Sequence, residues 1–350
     1  MTTPRASVVI PVYGCAELLR ACLESLREAG LDGVELVLVD NASPDHVPEV
    51  LAAWEDRATV VRHAENLGFA GGCNAGARAA TAPVLVFLNT DTLVRPGWLE
   101  PLVAAASDPA VGAAGARLLY PDGRVQHAGM ALMPGCQPTH LHRTAPGDHP
   151  AVCRTRDLTL VTAACLAIRR ELFLEVGGFD TAYVNGYEDC DLNLRLAARG
   201  LRQRYCGDSV VVHLESRSPG RGDREDDNAR LFRRRWHAWP PDHAGLLAED
   251  GVEGSTSADC VWSGPVFDGS PEAALGRRAV VALTRAGLRP RLTETSDRPC
   301  APGGERICPP EVLAALNRLA LPVAEPVVFV HEDGSRRQVV PDDDWVVVGV

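Results

Sequence analysis

Val84-Leu85-Val86-Phe87-Leu88-Asn89-Thr90-Asp91 is the stretch on which the fold turns. Five consecutive apolar residues are too few for a helix and lack the alternation of a half-exposed strand. Val84 to Leu88 therefore reads as a parallel-sheet strand buried on both faces. Polarity then switches at Asn89, Thr90 and Asp91, setting a carboxylate just past the carboxyl end of a central strand. Ligands of open α/β sheets bind along that edge, and a carboxylate there can hold a hard divalent cation that bridges to substrate phosphates. An isolated Asn-x-Asp is more often a strand end closed by an Asx turn, so the flanking segments have to decide.

Upstream, Ser7 to Val12 forms a first buried strand, ended by Pro11 and the Tyr13-Gly14 turn. Leu18, Leu19, Cys22, Leu23 and Leu26 recur at helical spacing before Gly30. Val34 to Val39 is a second strand running into Asp40, Asn41 and Ser43; a helix over 46–55 and a short strand, Thr59 to Arg62, follow. A glycine-rich segment from Asn66 to Asn74 opens the next helix. This alternation predicts an α/β fold with a doubly wound, mostly parallel sheet and helices on both faces. Bare N–H groups at a glycine-rich helix start attract anions, but tight turns use the same residues. The segment neither matches G-x-G-x-x-G nor follows the first strand, which argues against a dinucleotide fingerprint.

Downstream, Pro96 to Ala106 reads as a helix, Val111 to Leu119 as a strand, and Pro121-Asp122-Gly123 as a turn into a strand through His127. Residues 133–157 lack periodicity and are expected to be a mobile substrate loop. Leu158 to Ile168 returns to the core, and Glu171 to Val176 reads as a short helix. Leu192, Leu196 and Ala197 mark one face of a helix capped by Gly200. Glu188 and Asp189 stand at its amino end, where the dipole favours ionised carboxylates, and Asp191 with Arg195 fits an i,i+4 ion pair. Ser209 to His213 is a strand ending in histidine. Over 221–239, the favoured reading packs Phe232, Trp236 and Trp239 on the sheet and solvates the arginines; contact with anionic lipid is the alternative.

Composition excludes several classes. The net charge of −11 argues against nucleic acid as a partner. The 350 residues contain no lysine, which rules out Schiff-base, P-loop and kinase-type lysine chemistry. Eleven cysteines, an odd number without a C-x-x-C pair, suggest a reducing compartment. With no signal-peptide pattern and no run of 18 apolar residues, a cytoplasmic protein is expected, with peripheral contact at the inner face of the membrane as an option.

Seven segments in one order carry a family resemblance: SVVIPVYG, LVLVDNAS, NLGFAGGCNAG, FLNTDT, VTAACLAIRRELFLEVGGFD, YEDCDLNLRLAARG and VVVHLESRS. Over residues 5–238 the chain resembles the family 2 inverting glycosyltransferases of GT-A fold, especially the rhamnosyltransferase-like members. The resemblance implies that Pro11, Val12, Tyr13, Asp40, Asn41 and Ser43 serve the nucleotide. It puts Asn66, Gly68, Phe69 and Asn74, with Asn89 and Thr90, toward the ribose and diphosphate. Asp91 and His213 would hold a divalent cation, Mn2+ or Mg2+. Asp189, beside Glu188, would be the catalytic base, with Ala163, Ala164, Tyr187 and Asp191 on the acceptor side.

The implied donor is a nucleotide-diphosphate sugar (UDP- or dTDP-linked), and the acceptor a glycan or lipid-linked hydroxyl. Two residues depart from the family pattern. Asn89 replaces the first acid of D-x-D, and Ala163 replaces a glycine where the acceptor packs. A catalytically impaired sugar-nucleotide binder or scaffold is the rival reading. A sugar-nucleotide pyrophosphorylase would need a Lys-bearing glycine loop after the first strand, which SVVIPVYG lacks.

The expected organisation is a transferase domain over 1–240, a linker over 241–259 and a partial Rossmann-like segment over 260–350. In that last part Val261 to Ser270, a helical run from Ala273 to Ala286, and strands at Leu288 to Leu292 and Val327 to Val330 are similar to the opening of a family 4, GT-B glycosyltransferase. About ninety residues fall short of a usual domain, so no separate activity is expected of it.

Overall fold

The computed structural model describes residues 4–214 and 224–250, and the strand segments 260–263, 290–293, 327–330 and 336–339. Two units divide at Leu246 and Leu247.

In the first unit, β1 (Ala6–Val12), α1 (Ala16–Ala29), β2 (Val34–Asp40), α2 (Val47–Ala52), β3 (Ala58–Arg62), α3 (Gly68–Ala79) and β4 (Val84–Leu88) alternate as the apolar pattern predicts. β1 to β4 build the parallel half of the sheet, in the order β4-β1-β2-β3. Side chains alternate across it because the strand repeat is two residues. Val8, Ile10, Leu36, Leu38, Val86 and Leu88 join Leu19, Leu23 and Leu26 of α1 in one core layer. On the opposite layer Phe87 meets Phe173 and Phe179, with ring centroids 4.8 and 5.0 Å away. Gly76 of α3 lies so close to β1 that an added Cβ would sit 2.3 Å from Val9 Cγ1.

The second half contains β5 (Thr92–Val94), α4 (Leu99–Ser107), β6 (Val111–Leu119), β7 (Val125–His127), β8 (Met130–Met133), β9 (Gln137–His140), α5 (Pro150–Cys153) and β10 (Arg156–Leu158). It continues with β11 (Cys165–Arg169), α6 (Arg170–Glu175), α7 (Glu188–Ala197), β12 (Arg202–His213), α8 (Glu225–Trp236) and α9 (His243–Glu249). The main sheet path runs β10-β12-β6-β11-β4-β1-β2-β3. β6 and β12 are parallel, whereas β11 lies antiparallel between β4 and β6.

One expectation is corrected here. Residues 133–157 carry the β8–β9 hairpin and α5 rather than an unstructured loop, their backbone paired locally, as in Met133 with Gln137. Leu158 to Ile168 lies largely in the core. Within it the chain breaks at 159–164, and β11 starts beside Leu88, at the carboxyl end of β4, and runs away from it. Asp242, just before α9, accepts at Oδ1 from the Leu132 N–H at 2.7 Å.

Trp236 and Trp239 pack with Phe232, Leu194 and Met130. The aromatic side of α8 is thus a packing face, as the favoured reading had it, but it rests on α7 and the β8–β9 hairpin rather than on the main sheet, and Arg235 pairs with Asp180 and Asp191 instead of being solvated. Among the described residues no helix is long and apolar enough to cross a membrane.

In the second unit β13 (Cys260–Ser263) pairs in parallel with β14 (Pro290–Thr293), and β15 (Val327–Val330) pairs antiparallel with β16 (Arg336–Val339). The helical run expected over Ala273 to Ala286 lies outside the described residues.

Candidate active site

The carboxyl ends of β1, β2, β4, β6 and β12 open onto one cavity of about 740 Å³, within the usual range for small-molecule sites. Pro11, Val12, Tyr13 and Asn41 line it on the β1–β2 side, with Asn66, Gly68 and Phe69 beside them. Asn89, Thr90, Asp91 and His213 line its middle, and Ala163, Ala164, Tyr187, Glu188 and Asp189 border it as well. Asp91 and Asp189, far apart in the chain, thus share one hollow.

Strand register explains the first cluster. Thr92 pairs with His213 across β5 and β12, and the Leu214 N–H donates to the Asp91 carbonyl at 2.8 Å. The buried Asp91 Oδ1 then lies 3.1 Å from His213 Nε2. Asn89 Nδ2 is 3.3 Å from the same nitrogen, so the side chain reaches across to β12 instead of closing an Asx turn. Asn89 Oδ1 is buried and has no hydrogen-bond partner among the described residues.

Asp189 belongs to the first turn of α7, which starts after Tyr187 in the left-handed region at φ 71°. For a bulky residue that backbone is strained by about 1–3 kcal/mol. Asn193 pins the broken strand to α7: its Nδ2 donates to the Val161 carbonyl at 2.9 Å. That contact brings Thr162 and Ala163 over Asp189, whose Oδ2 accepts from the Ala163 N–H (3.0 Å) and Thr162 Oγ1 (3.1 Å). Asp189 Oδ1 accepts from the Cys190 N–H at 2.8 Å. The Cys190 thiol bonds to the same carboxylate, which stays partly exposed at the cavity. Burial, with Asp189 beside it, pushes the Cys190 thiol well up, so it is no nucleophile. Glu188 Oε2 accepts from the Gly186 N–H at 2.7 Å, bracing the turn that leads into α7.

Four predicted contacts lie outside the cavity lining. Asp40 is buried and accepts from the Ser43 N–H at 2.9 Å, while Ser43 Oγ accepts from the Gly14 N–H at 3.0 Å. The two brace the turns behind Tyr13. Asn74 points away, donating to the Phe179 carbonyl (2.8 Å) and accepting from its N–H (2.9 Å). Asp191 is fully buried among Arg195 Nε (2.8 Å), Arg235 Nη1 (2.6 Å), Trp236 Nε1 (3.0 Å) and the Tyr183 hydroxyl (3.3 Å). Its i,i+4 pair with Arg195 was legible, but its work is to fasten α8 to α7.

The glycine segment also resolves. The Gly68 N–H donates to Asn66 Oδ1 (2.8 Å) and the Phe69 N–H to Asn185 Oδ1 (3.2 Å), so the helix start is engaged internally. Gly72 serves packing, since a Cβ there would lie 2.7 Å from Asn41 Nδ2 and 3.1 Å from Pro11 Cβ. Residues the sequence reading passed over include Gln126, His140, Arg143, Thr162, Asn185 and Asn228, all lining the cavity. The Asn185-Gly186 turn signal was visible; His140 and Arg143 stand in a stretch without a pattern, and nothing in the sequence set Gln126, Thr162 or Asn228 apart from their neighbours.

Residues 7–177 match the profile of Glycosyl transferase family 2. Asp189 and His213 lie beyond the matched span. The chain is 34% identical to the protein y4gI of Sinorhizobium fredii over 67% of its own length and 28% of that protein's. It is 35% identical to the O-antigen biosynthesis protein RfbC of Myxococcus xanthus, over 62% of this chain and 18% of RfbC. It therefore spans less than a third of either relative. With the N-acetylglucosaminyl-diphospho-decaprenol L-rhamnosyltransferase of Mycobacterium tuberculosis it shares 29% identity over 61% of this chain and 77% of that enzyme. A crystal structure of GalNAc-T7 with UDP, GalNAc and Mn2+ has a similar fold: TM-score 0.50 and 19% identity, covering 80% of this chain and 48% of that one.

Proposed function

We propose that residues 1–240 transfer a sugar, of the hexosyl or rhamnosyl kind, from a nucleotide-diphosphate donor to a hydroxyl of a glycan or lipid-linked acceptor, with inversion. One observation carries the proposal: Asp91 and Asp189 border a single cavity, and Asp189 is held in place there by hydrogen bonds from Ala163, Thr162 and Cys190. The nucleotide would lie against Pro11 to Tyr13 and Asn41. Asp189 would accept the proton of the acceptor hydroxyl as its oxygen attacks the anomeric carbon. In-line attack opposite the leaving diphosphate inverts that carbon in one displacement, and no protein nucleophile is required.

A divalent cation fits the residues at Asp91. In an octahedral site with bonds of about 2.1 Å, neighbouring ligand atoms stand roughly 3.0 Å apart. Asp91 Oδ1 and His213 Nε2 are 3.1 Å apart, and the partnerless Asn89 Oδ1 offers a third hard donor nearby. Asp91 and His213 would hold the ion, with the Asn89 oxygen in support. When bound, it supplies charge neutralisation for the departing diphosphate.

The test is a thermal-shift screen of UDP- and dTDP-sugars with and without Mn2+. A cognate donor at a hundredfold its Kd stabilises by about 2.7 kcal/mol, or roughly 5–10 °C for a unit of this size. No shift with any nucleotide sugar would refute the donor site. Retained anomeric configuration in the product would refute the single displacement.

A further inference from the structure

Gln126 has no place in the chemistry above, yet it is buried in β7 with both ends of its amide on His213. Its Nε2 donates to the His213 carbonyl at 3.3 Å, and its Oε1 lies 2.6 Å from His213 Nδ1. Reversing the amide would set two oxygens against each other at the carbonyl, so the orientation is fixed. Oε1 is then an acceptor facing the ring, and Nδ1 must carry the proton. In the neutral ring this leaves the lone pair on Nε2, the nitrogen 3.1 Å from Asp91 Oδ1. Two electron-pair donors thus converge on the cavity, one on β12 and one after β4.

We infer that Gln126 is a positioning residue that selects the metal-ready tautomer of His213. The inference rests on the cation reading of Asp91 and His213 given above. The alternative is that Gln126 only tethers β7 to β12 through the His213 carbonyl. Two variants separate these roles. Q126L removes both the acceptor for Nδ1–H and the donor to the carbonyl. Q126E keeps the acceptor and loses the donor. A tether would be damaged equally by both; a tautomer selector would be damaged by Q126L alone.

Mn2+ affinity of the full chain, read by the EPR signal of free Mn2+ with UDP or dTDP present, is the primary measurement. Loss of a partner that orients a ligating histidine weakens metal binding about 10–100-fold. That loss is expected for Q126L, with Q126E within about threefold of wild type. A second readout is the long-range 1H–15N spectrum of 15N-histidine protein, with the His213 signals assigned by their loss in H213Q. The wild type should show the Nδ1–H form. An Nε2–H form, wild-type affinity in Q126L, or equal losses in both variants would overturn the inference. A wild-type chain that binds no Mn2+ at all, while keeping the Nδ1–H ring, would overturn the cation reading and this inference with it.

Discussion

Replacing Asp189 by Asn removes the proposed proton acceptor and barely changes its size. The carboxylate accepts three hydrogen bonds, from Ala163 N, Thr162 Oγ1 and Cys190 N. An amide has one oxygen. If that oxygen keeps Ala163 and Thr162, its NH2 group meets the Cys190 N–H donor to donor; reversed, it meets the Ala163 N–H. Either way one hydrogen bond to a charged group is lost, about 1.5–3 kcal/mol, and partial exposure of Asp189 draws the cost to the lower end. Loss of a general base costs about 10²- to 10⁴-fold in kcat, which is roughly 2.7–5.4 kcal/mol of barrier. The catalytic loss thus exceeds the stability loss, and the folded variant should still bind the donor. The assay is release of nucleoside diphosphate in the presence of acceptor, beside a urea melt and a nucleotide thermal shift. A kcat within about threefold of wild type, under 0.7 kcal/mol of barrier, would refute Asp189 as base. A nucleotide shift lost in proportion to kcat would place the residue in donor binding instead.

Removing divalent cations with EDTA should abolish both turnover and the nucleotide thermal shift, with Mn2+ restoring them; unchanged turnover would take Asp91 and His213 out of the scheme. Asp191→Ala leaves Arg195 and Arg235 beside an emptied, fully buried position, and should lower stability in a urea melt by about 3–5 kcal/mol; a loss under about 1 kcal/mol would contradict its part as the fastening of α8. Gly76→Ala forces a methyl to 2.3 Å from Val9 Cγ1 and 3.0 Å from Val39 Cγ2, at a cost of about 1–3 kcal/mol; an unchanged melting temperature would contradict the packing. Burial, with His140 and His213 nearby, pushes the His127 imidazolium well below its ordinary range. The unfolded chain therefore takes up this proton first. The stability is fully present above about pH 6.5 and falls with decreasing pH, by up to about 1.4 kcal/mol per pH unit from this group. His127→Gln should flatten that slope; an identical pH profile would count against it.

The centre of the parallel half, β1, β2 and β4, was legible because these strands are largely buried on both faces and so stand out as apolar runs ending in polar residues. Val84 to Asp91 carries that signal in full, and the cavity lies where those runs stop. β11 was harder. Leu158 to Ile168 is mostly apolar, with only Thr159 and Thr162 polar, and burial alone does not tell a continuous strand from one that breaks and restarts reversed. Asp189 and Asp191 show a second limit: two carboxylates in one helical turn look alike in sequence, while the 3.6-residue repeat sends one to the cavity and the other to Arg195 and Arg235. Asn74 failed for the same reason, being near a glycine-rich helix start yet on its far side. Gln126 left no trace, because one amide between Val125 and His127 gains its meaning only from β12.

The contact at Gly72 has a consequence for how such a cavity can be retuned. With α3 resting directly on the Pro11 and Asn41 side chains, that part of the lining has no room for even a methyl group. Met130, His140, Arg143 and Glu225, longer side chains on a hairpin, a loop and a helix, line the same cavity. Substitutions that alter which molecule fits can therefore accumulate at these four positions while the contact at Gly72 stays fixed, so the two parts of the lining are free to change at different rates.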